Sequence, residues 1–96
     1  MHITLSPQRR DDTLKIVKAK EVLTINDKKY DFSVVPEGAL LPKEAVDCPW
    51  IAADVERIEG ILHLTLILPI SADASEAARF PAPIIDPADG PLEFPK

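Results

Sequence analysis

A chain of 96 residues with one cysteine and a net charge of −5 is long enough for one domain and forms no internal disulfide. No apolar run approaches the roughly 20 residues that span a bilayer, and the first residues lack the apolar stretch of a signal peptide, so we expect a cytoplasmic protein without membrane contact. The eleven Lys and Arg side chains are scattered among carboxylates, which argues against nucleic acid as a partner.

The first third of the chain alternates apolar and polar residues as strands do. Ile3 and Leu5 lie on one side of a short predicted strand at residues 2–5, which Ser6-Pro7 is expected to end.

Residues 13–34 predict a three-stranded antiparallel meander. Its first loop, at residues 19–20, pairs Ile16 with Leu23, and its second loop, at residues 26–29, is four residues long. Both registers place the same six apolar side chains on one face, and their agreement supports the assignment. The six are Leu14, Ile16, Leu23, Ile25, Tyr30 and Phe32.

Residues 50–69 predict the hairpin around which the chain is organised. A two-residue loop at Glu59-Gly60 suits a tight turn, because glycine adopts a positive φ without strain. The resulting register places Glu56 opposite His63 and leaves one face wholly apolar. The predicted members of that face are Ile51, Ala53, Val55, Leu64, Leu66 and Leu68.

Helical structure is predicted in two short segments. Residues 43–47 lie between two prolines and leave room for one helical turn. Residues 71–79 predict a short helix that begins at Ser71 or at Asp73, and Asp73 has Glu76 three residues later in the spacing of a capping box.

Residues 80–96, the C-terminal strap, contain five of the ten prolines and therefore lack the donors of a central strand. Ile84-Ile85 and residues 92–94 are either short edge strands or parts of an extended segment. The strap packs either on its own sheet or on another subunit.

These elements predict an all-β fold: a small antiparallel sandwich of meander and hairpin with a short helical turn and a proline-rich strap. Residues 1–96 form a single domain, with Trp50 at the edge of its core.

The candidate binding group on the hairpin is Glu56 with His63, and Asp54 lies next to them. A carboxylate beside an imidazole can bind a metal ion or a small ligand, or act as a general base. The alternative is a surface charge pair of small energy, because a metal site needs three or four ligands and only His2 remains as a second imidazole.

Candidate roles also fall on a cysteine, a tryptophan and an arginine–phenylalanine pair. Cys48 is either a nucleophile assisted by His63 or a buried, inert thiol. Trp50 either lines a partner groove or fills the core, and the Arg79-Phe80 pair at the start of the strap suits a protein contact. The chain lacks a glycine-rich phosphate loop, a nucleophile elbow and metal-ligand spacing, so we expect no cofactor and no enzymatic activity.

Six segments of the chain carry a resemblance: residues 1–7, 23–26, 36–39, 48–51, 62–66 and 79–83. Together they resemble small prophage-encoded proteins found near phage tail and tail-fibre genes. The resemblance implies a structural or assembly role with a protein partner such as a tail or tail-fibre component, in the bacterial cytoplasm or on the virion. It gives no residue a role, and it leaves homo-oligomerisation open.

Overall fold

The computed structural model describes residues 1–94, which form two β-sheets with one short helix. The predicted all-β fold is confirmed. The strands are β1 (His2–Arg9), β2 (Ile16–Ala19), β3 (Val22–Ile25), β4 (Lys28–Asp31), β5 (Leu40–Leu41), β6 (Val55–Ile58), β7 (Ile61–Ile70), β8 (Ile84–Ile85) and β9 (Gly90–Pro91). The helical segments are a 3₁₀ turn at Lys43–Ala45, within the predicted helical turn, and helix α1 at Glu76–Arg79.

The larger sheet has five strands in the order β5-β6-β7-β1-β8. Its longest pairing joins β1 to β7 in parallel, with His2 beside His63 and Arg9 beside Ile70. The sequence predicts an antiparallel arrangement throughout, and this prediction is wrong for the pair of β1 and β7. Local alternation identified both strands, but it carries no information about two segments some sixty residues apart in the chain.

β1 is also longer than the sequence predicts, since it continues through Ser6 and Pro7 to Arg9. The Arg10 N–H donates to the Ile70 carbonyl at 3.3 Å, and alternate residues of a strand direct their backbone groups to the same side. Pro7 therefore turns its nitrogen away from β7, and its missing N–H costs no hydrogen bond of that ladder.

The smaller sheet has four strands in the order β4-β3-β2-β9. Both hairpin registers differ from the predicted ones by two residues: Ile16 pairs with Ile25, and Leu23 pairs with Tyr30. Because the shift is even, the predicted apolar face is unchanged. Ile16, Leu23, Ile25 and Phe32 on that face are buried.

Both loops of the meander contain two residues and no glycine. The first is Lys20-Glu21, one residue later than predicted, and the second is Asn26-Asp27, two residues shorter than predicted. Lys20, Asn26 and Asp27 take positive φ angles of 57°, 47° and 72°, the left-handed conformation that tight hairpin loops require. The Asn26 side chain stabilises its loop, since its Oδ1 accepts from Lys15 N at 2.8 Å and its Nδ2 donates to the Thr13 carbonyl at 3.0 Å.

The central hairpin has the predicted loop, with Glu59 at φ 51° and Gly60 at φ 80°, and Glu56 lies opposite His63 as expected. Further from the loop, Ile51 bridges to Leu66 and not to Leu68. Ile51 lies five positions before Glu56, whereas Leu66 lies three positions after His63. The two extra residues form a bulge within residues 52–54, which bends the first strand.

One hydrophobic core lies between the two sheets, as the two-layer prediction requires. Its largest fully buried side chains are Phe32, Ile3, Ile16, Leu23, Ile51, Leu62, Leu64, Leu66 and Val55.

Arg57 joins the sheets at the edge of this core. Its guanidinium donates to both carboxylate oxygens of Glu21, at 2.8 and 3.0 Å, and to the Val35 carbonyl at 2.6 Å. The hydrogen bonds from Arg57 lower the pKa of Glu21. β6 is thereby held to the loop between β2 and β3.

Helix α1 begins later than the sequence predicts, with its N-cap four residues after Ser71 and two residues after Asp73. Its N-cap is Ser75, whose hydroxyl accepts from Ala78 N at 3.2 Å, and the predicted caps Ser71 and Asp73 lie outside the helix. Glu76, which the sequence places three residues after an Asp73 cap, is instead the first residue of the helix. Ser75 precedes it and supplies the cap oxygen.

The strap packs on its own chain as far as residue 94. β8 pairs with the start of β1, β9 pairs with β2, and Leu92 N donates to the Ile16 carbonyl at 2.9 Å. Asp89 fastens this segment by accepting from Lys18 Nζ at 2.8 Å and from Lys20 N at 2.9 Å. The strap thus contributes an edge strand to each sheet, and the predicted end of the strap at residues 95–96 lies outside the described residues.

Candidate functional site

The outer face of the five-stranded sheet carries the predicted pair Glu56 and His63 and adds His2 to it. His2 lies beside His63 on the neighbouring strand, and their rings stack with centroids 5.0 Å apart and planes inclined by 26°. Glu56 lies on the other side of His63. Sequence reasoning found Glu56 and His63 but placed His2 elsewhere, because the partner of β1 was not predicted.

A shallow depression of about 380 Å³ lies between β6 and β7 on this face. Asp54, Glu56 and His63 all line it, together with Thr4 and Thr65. The structure therefore brings the three predicted residues to one place. The Asp54 carboxylate already accepts a hydrogen bond from Lys43 N at 2.8 Å, so part of its capacity is used within the chain.

Within residues 1–94, no group of three or more His, Cys, Asp or Glu side chains is placed to hold a metal ion. The two imidazoles also have an unfavourable geometry for chelation. Nitrogen lone pairs lie in the ring plane, so stacked rings direct them side by side and not toward a common point.

Cys48 does not join the histidines. Its thiol is free and buried in the core, whereas His63 lies on the outer face of the sheet. Burial and the nearby Cys48 raise the pKa of Tyr30 to about 12, and the Tyr30 hydroxyl donates to the Asp47 carbonyl at 3.1 Å. Of the two alternatives that the sequence left open, the structure shows a buried thiol that is not brought to His63.

Trp50 belongs to the core, with 6% of its surface exposed. The Arg10 guanidinium covers its ring at 4.3 Å from the centroid, and Asp12 accepts from Arg10 Nε and Nη2 at 2.8 and 2.6 Å. A partner therefore does not reach the Trp50 ring in this conformation, and the residue acts as a large core side chain with a cation–π contact.

Arg79 and Phe80 remain at the surface, where α1 ends and the strap begins. Phe80 is 78% exposed, and Arg79 Nη2 donates to the Ala72 carbonyl at 2.9 Å. The structure thus leaves the predicted Phe80 side chain accessible, beside an arginine held by a backbone carbonyl.

A larger cleft of about 730 Å³ opens between the layers beside α1. Its wall is mixed, because Leu68, Leu92 and Phe94 contribute apolar surface while Asp12 and Glu93 contribute carboxylates. None of the predicted site residues lines it.

The outer face also exposes four large apolar side chains that the sequence analysis gave no role. They are Leu40, Ile58, Ile61 and Ile85. Ile58 and Ile61 flank the tight loop and share strand parity with Glu56 and His63, a signal that places them on the outer face from the sequence alone. Leu40 and Ile85 can be placed on this face only when the pairing of β5 with β6 and of β8 with β1 is known, and the sequence does not specify these pairings.

No protein-family model, curated protein or solved structure matches this chain. No helix in the part of the chain that the structure describes is long and apolar enough to cross a membrane.

Proposed function

We propose that this chain is a structural or assembly accessory protein of phage or prophage origin, which acts through protein–protein contacts and not by catalysis. The observation that carries the proposal is Phe80, an aromatic side chain that is 78% exposed where α1 meets the strap. A partner that buries this side chain gains about 25 cal/mol for each Å² of apolar surface removed from water.

The surroundings of Phe80 also suit a contact with a protein. Arg79 adds a cation with several donors, and aromatic residues, including Phe, and arginine are enriched at protein interfaces. The next residues contain Pro81 and Pro83, so the backbone beside Phe80 is restricted and loses little entropy on binding. The segments that resemble prophage proteins suggest a tail or tail-fibre component as the partner.

Co-purification from an induced lysogen tests the proposal, with the captured proteins identified by mass spectrometry. We expect wild-type protein to retain a tail or tail-fibre protein, and Phe80→Ser to lose it. Val34→Ser is the matched control, since Val34 is a similarly exposed apolar residue outside α1 and the strap, and it should retain the partner. Absence of tail proteins from the wild-type sample would refute the proposed role.

A second candidate function is a small-ligand or metal-binding module at Asp54, Glu56 and His63. It is favoured by one observation, namely that all three line the same depression. Zinc titration followed through the imidazole resonances of His63 tests it. Unchanged resonances at millimolar zinc would exclude zinc binding at this site. If the resonances do shift, Glu56→Gln is the control, and the shift should be smaller in that variant.

A further inference from the structure

Five residues form a continuous row across the outer face of the five-stranded sheet, one from each strand. The paired positions are Leu40, Glu56, His63, His2 and Ile85, in the order of the strands. All five lie on the outer side, because their sequence neighbours Leu41, Val55, Leu62, Leu64, Ile3 and Ile84 pack into the core.

The residues at equal distances on either side of His63 are chemically complementary to each other. Both ends are aliphatic and largely exposed, 49% for Leu40 and 63% for Ile85. The two inner positions beside His63 are a carboxylate, Glu56, and an imidazole, His2. Adjacent strands are about 4.8 Å apart, so Glu56 and His2 lie at the same distance from His63 on opposite sides. A carboxylate and an imidazole can form a hydrogen bond with each other.

We propose that this face binds a second copy of the chain in a two-fold symmetric dimer. An axis parallel to β7 and lying between the two faces places His63 opposite its own copy. It also places Glu56 opposite His2 of the second copy, and Leu40 opposite Ile85. An isologous interface requires this reciprocity, in which residue i meets residue j and j meets i. Two sheets packed with aligned strands provide the face-to-face geometry.

The residues near the row fit this arrangement. Ile61 lies on β7, next to the proposed axis, and is 42% exposed, so the axis brings two copies of Ile61 together as an apolar contact. The Glu56 carboxylate has no hydrogen bond or ion pair with another side chain or with the backbone of residues 1–94, and His2 of the second copy offers it a donor. The depression beside Glu56 and His63 leaves room for that imidazole.

Sedimentation equilibrium over a range of protein concentrations tests the dimer. We expect wild-type protein to change from twice the chain mass of 10.6 kDa to a single chain on dilution, and Ile61→Asp to remain a single chain throughout. Val17→Asp is the matched control, because Val17 is 39% exposed on the other sheet; it should dimerise like wild type. Circular dichroism confirms that each variant is folded. A wild-type protein that is monomeric at its highest soluble concentration would overturn the proposal.

A charge exchange tests the position of the axis. Glu56→Lys should raise the dimer dissociation constant roughly tenfold or more, since it replaces the acceptor that faces His2 of the other copy with an ammonium group at two symmetric points. Adding His2→Glu to Glu56→Lys should restore dimerisation, because each glutamate then meets a lysine of the other copy. Failure of the double variant to recover would overturn the proposed axis. Phe80→Ser, which tests the proposed function, should leave the dimer unchanged, so the two proposals fail independently.

Discussion

The two faces of β7 differ although they belong to the same ten residues. Leu62, Leu64 and Leu66 point to the inner face and are almost completely buried. The alternate residues Ile61, His63 and Thr65 point to the outer face and are exposed or half-buried. The inner set stabilises the fold by apolar burial, whereas the outer set is free to serve association without being needed for folding. Substitutions on the two faces should therefore have different consequences.

The largest effect is expected at the inner face. Leu64→Ala removes a buried side chain and leaves a cavity, which should lower the free energy of unfolding by about 2–5 kcal/mol. His63→Ala, one residue away on the outer face, is the control and should cost about 1 kcal/mol or less. Urea denaturation of dilute protein measures both. Equal losses for the two variants would show that the faces do not differ as described.

A smaller effect is expected at the loop that joins β6 to β7. Gly60 has φ 80°, and no atom beyond the two adjacent residues lies within 4 Å of the Cβ that alanine would add. Gly60→Ala should therefore cost roughly 1 kcal/mol, the backbone strain of a left-handed residue that is not glycine.

The reverse substitution at the neighbouring position is the control for the loop. Glu59 already carries φ 51°, so Glu59→Gly relieves strain and should leave the urea midpoint unchanged or slightly higher. If Gly60→Ala is neutral, or Glu59→Gly is clearly destabilising, the loop does not have the left-handed backbone described.

The ion pair at the edge of the core should make stability depend on pH. The pKa of Glu21 in the folded protein is lowered by Arg57 from its ordinary value of 4.5, so the unfolded state binds more protons in this range. The contribution is complete above pH 4.5 and is lost as the pH falls through the lowered value.

Comparison of wild type with Glu21→Gln isolates this contribution. The difference between their urea midpoints should be largest near neutral pH and should shrink as the pH falls below 4. The other acidic groups with lowered pKa values, including Asp89 beside Lys18, are present in both proteins and cancel. A difference that grows on acidification would contradict the assigned pairing.

The smallest effect on stability is expected at Phe80. Because its side chain is mostly in water, Phe80→Ser should change the free energy of unfolding by no more than about 0.5 kcal/mol. The thermal midpoint of the variant measures this directly. A large loss would mean that Phe80 packs against the chain and is not available to a partner.

Local patterns in the sequence predict a large part of this fold, because burial with a period of two depends only on neighbouring residues. The apolar faces of both hairpins and the Glu59-Gly60 loop were predictable for this reason. The meander registers were not, since Lys20, Asn26 and Asp27 adopt a left-handed backbone that glycine usually provides. An even shift of register leaves the faces intact, so the face prediction is insensitive to this error.

Long-range pairing accounts for the rest. Nothing local in residues 2–9 indicates that they lie beside β7, and that pairing brings His2 to His63. The candidate surface was therefore predicted only in part: Glu56 and His63 follow from one tight loop, whereas His2, Leu40 and Ile85 require three separate strand pairings. The sequence placed Trp50 at the edge of the core and left a partner groove as the alternative, and the three-dimensional packing assigns it to the core.

The parallel pairing of β1 with β7 is the central structural claim, because the row of five residues depends on it. NMR of isotopically labelled protein tests it through distance contacts between side chains on the outer face. We expect cross-peaks between the imidazole protons of His2 and His63, and between the methyl protons of Thr4 and Thr65, which are paired in the same register. Cross-peaks from His2 to Pro69 or Ile70 would instead indicate an antiparallel pair and would contradict the account.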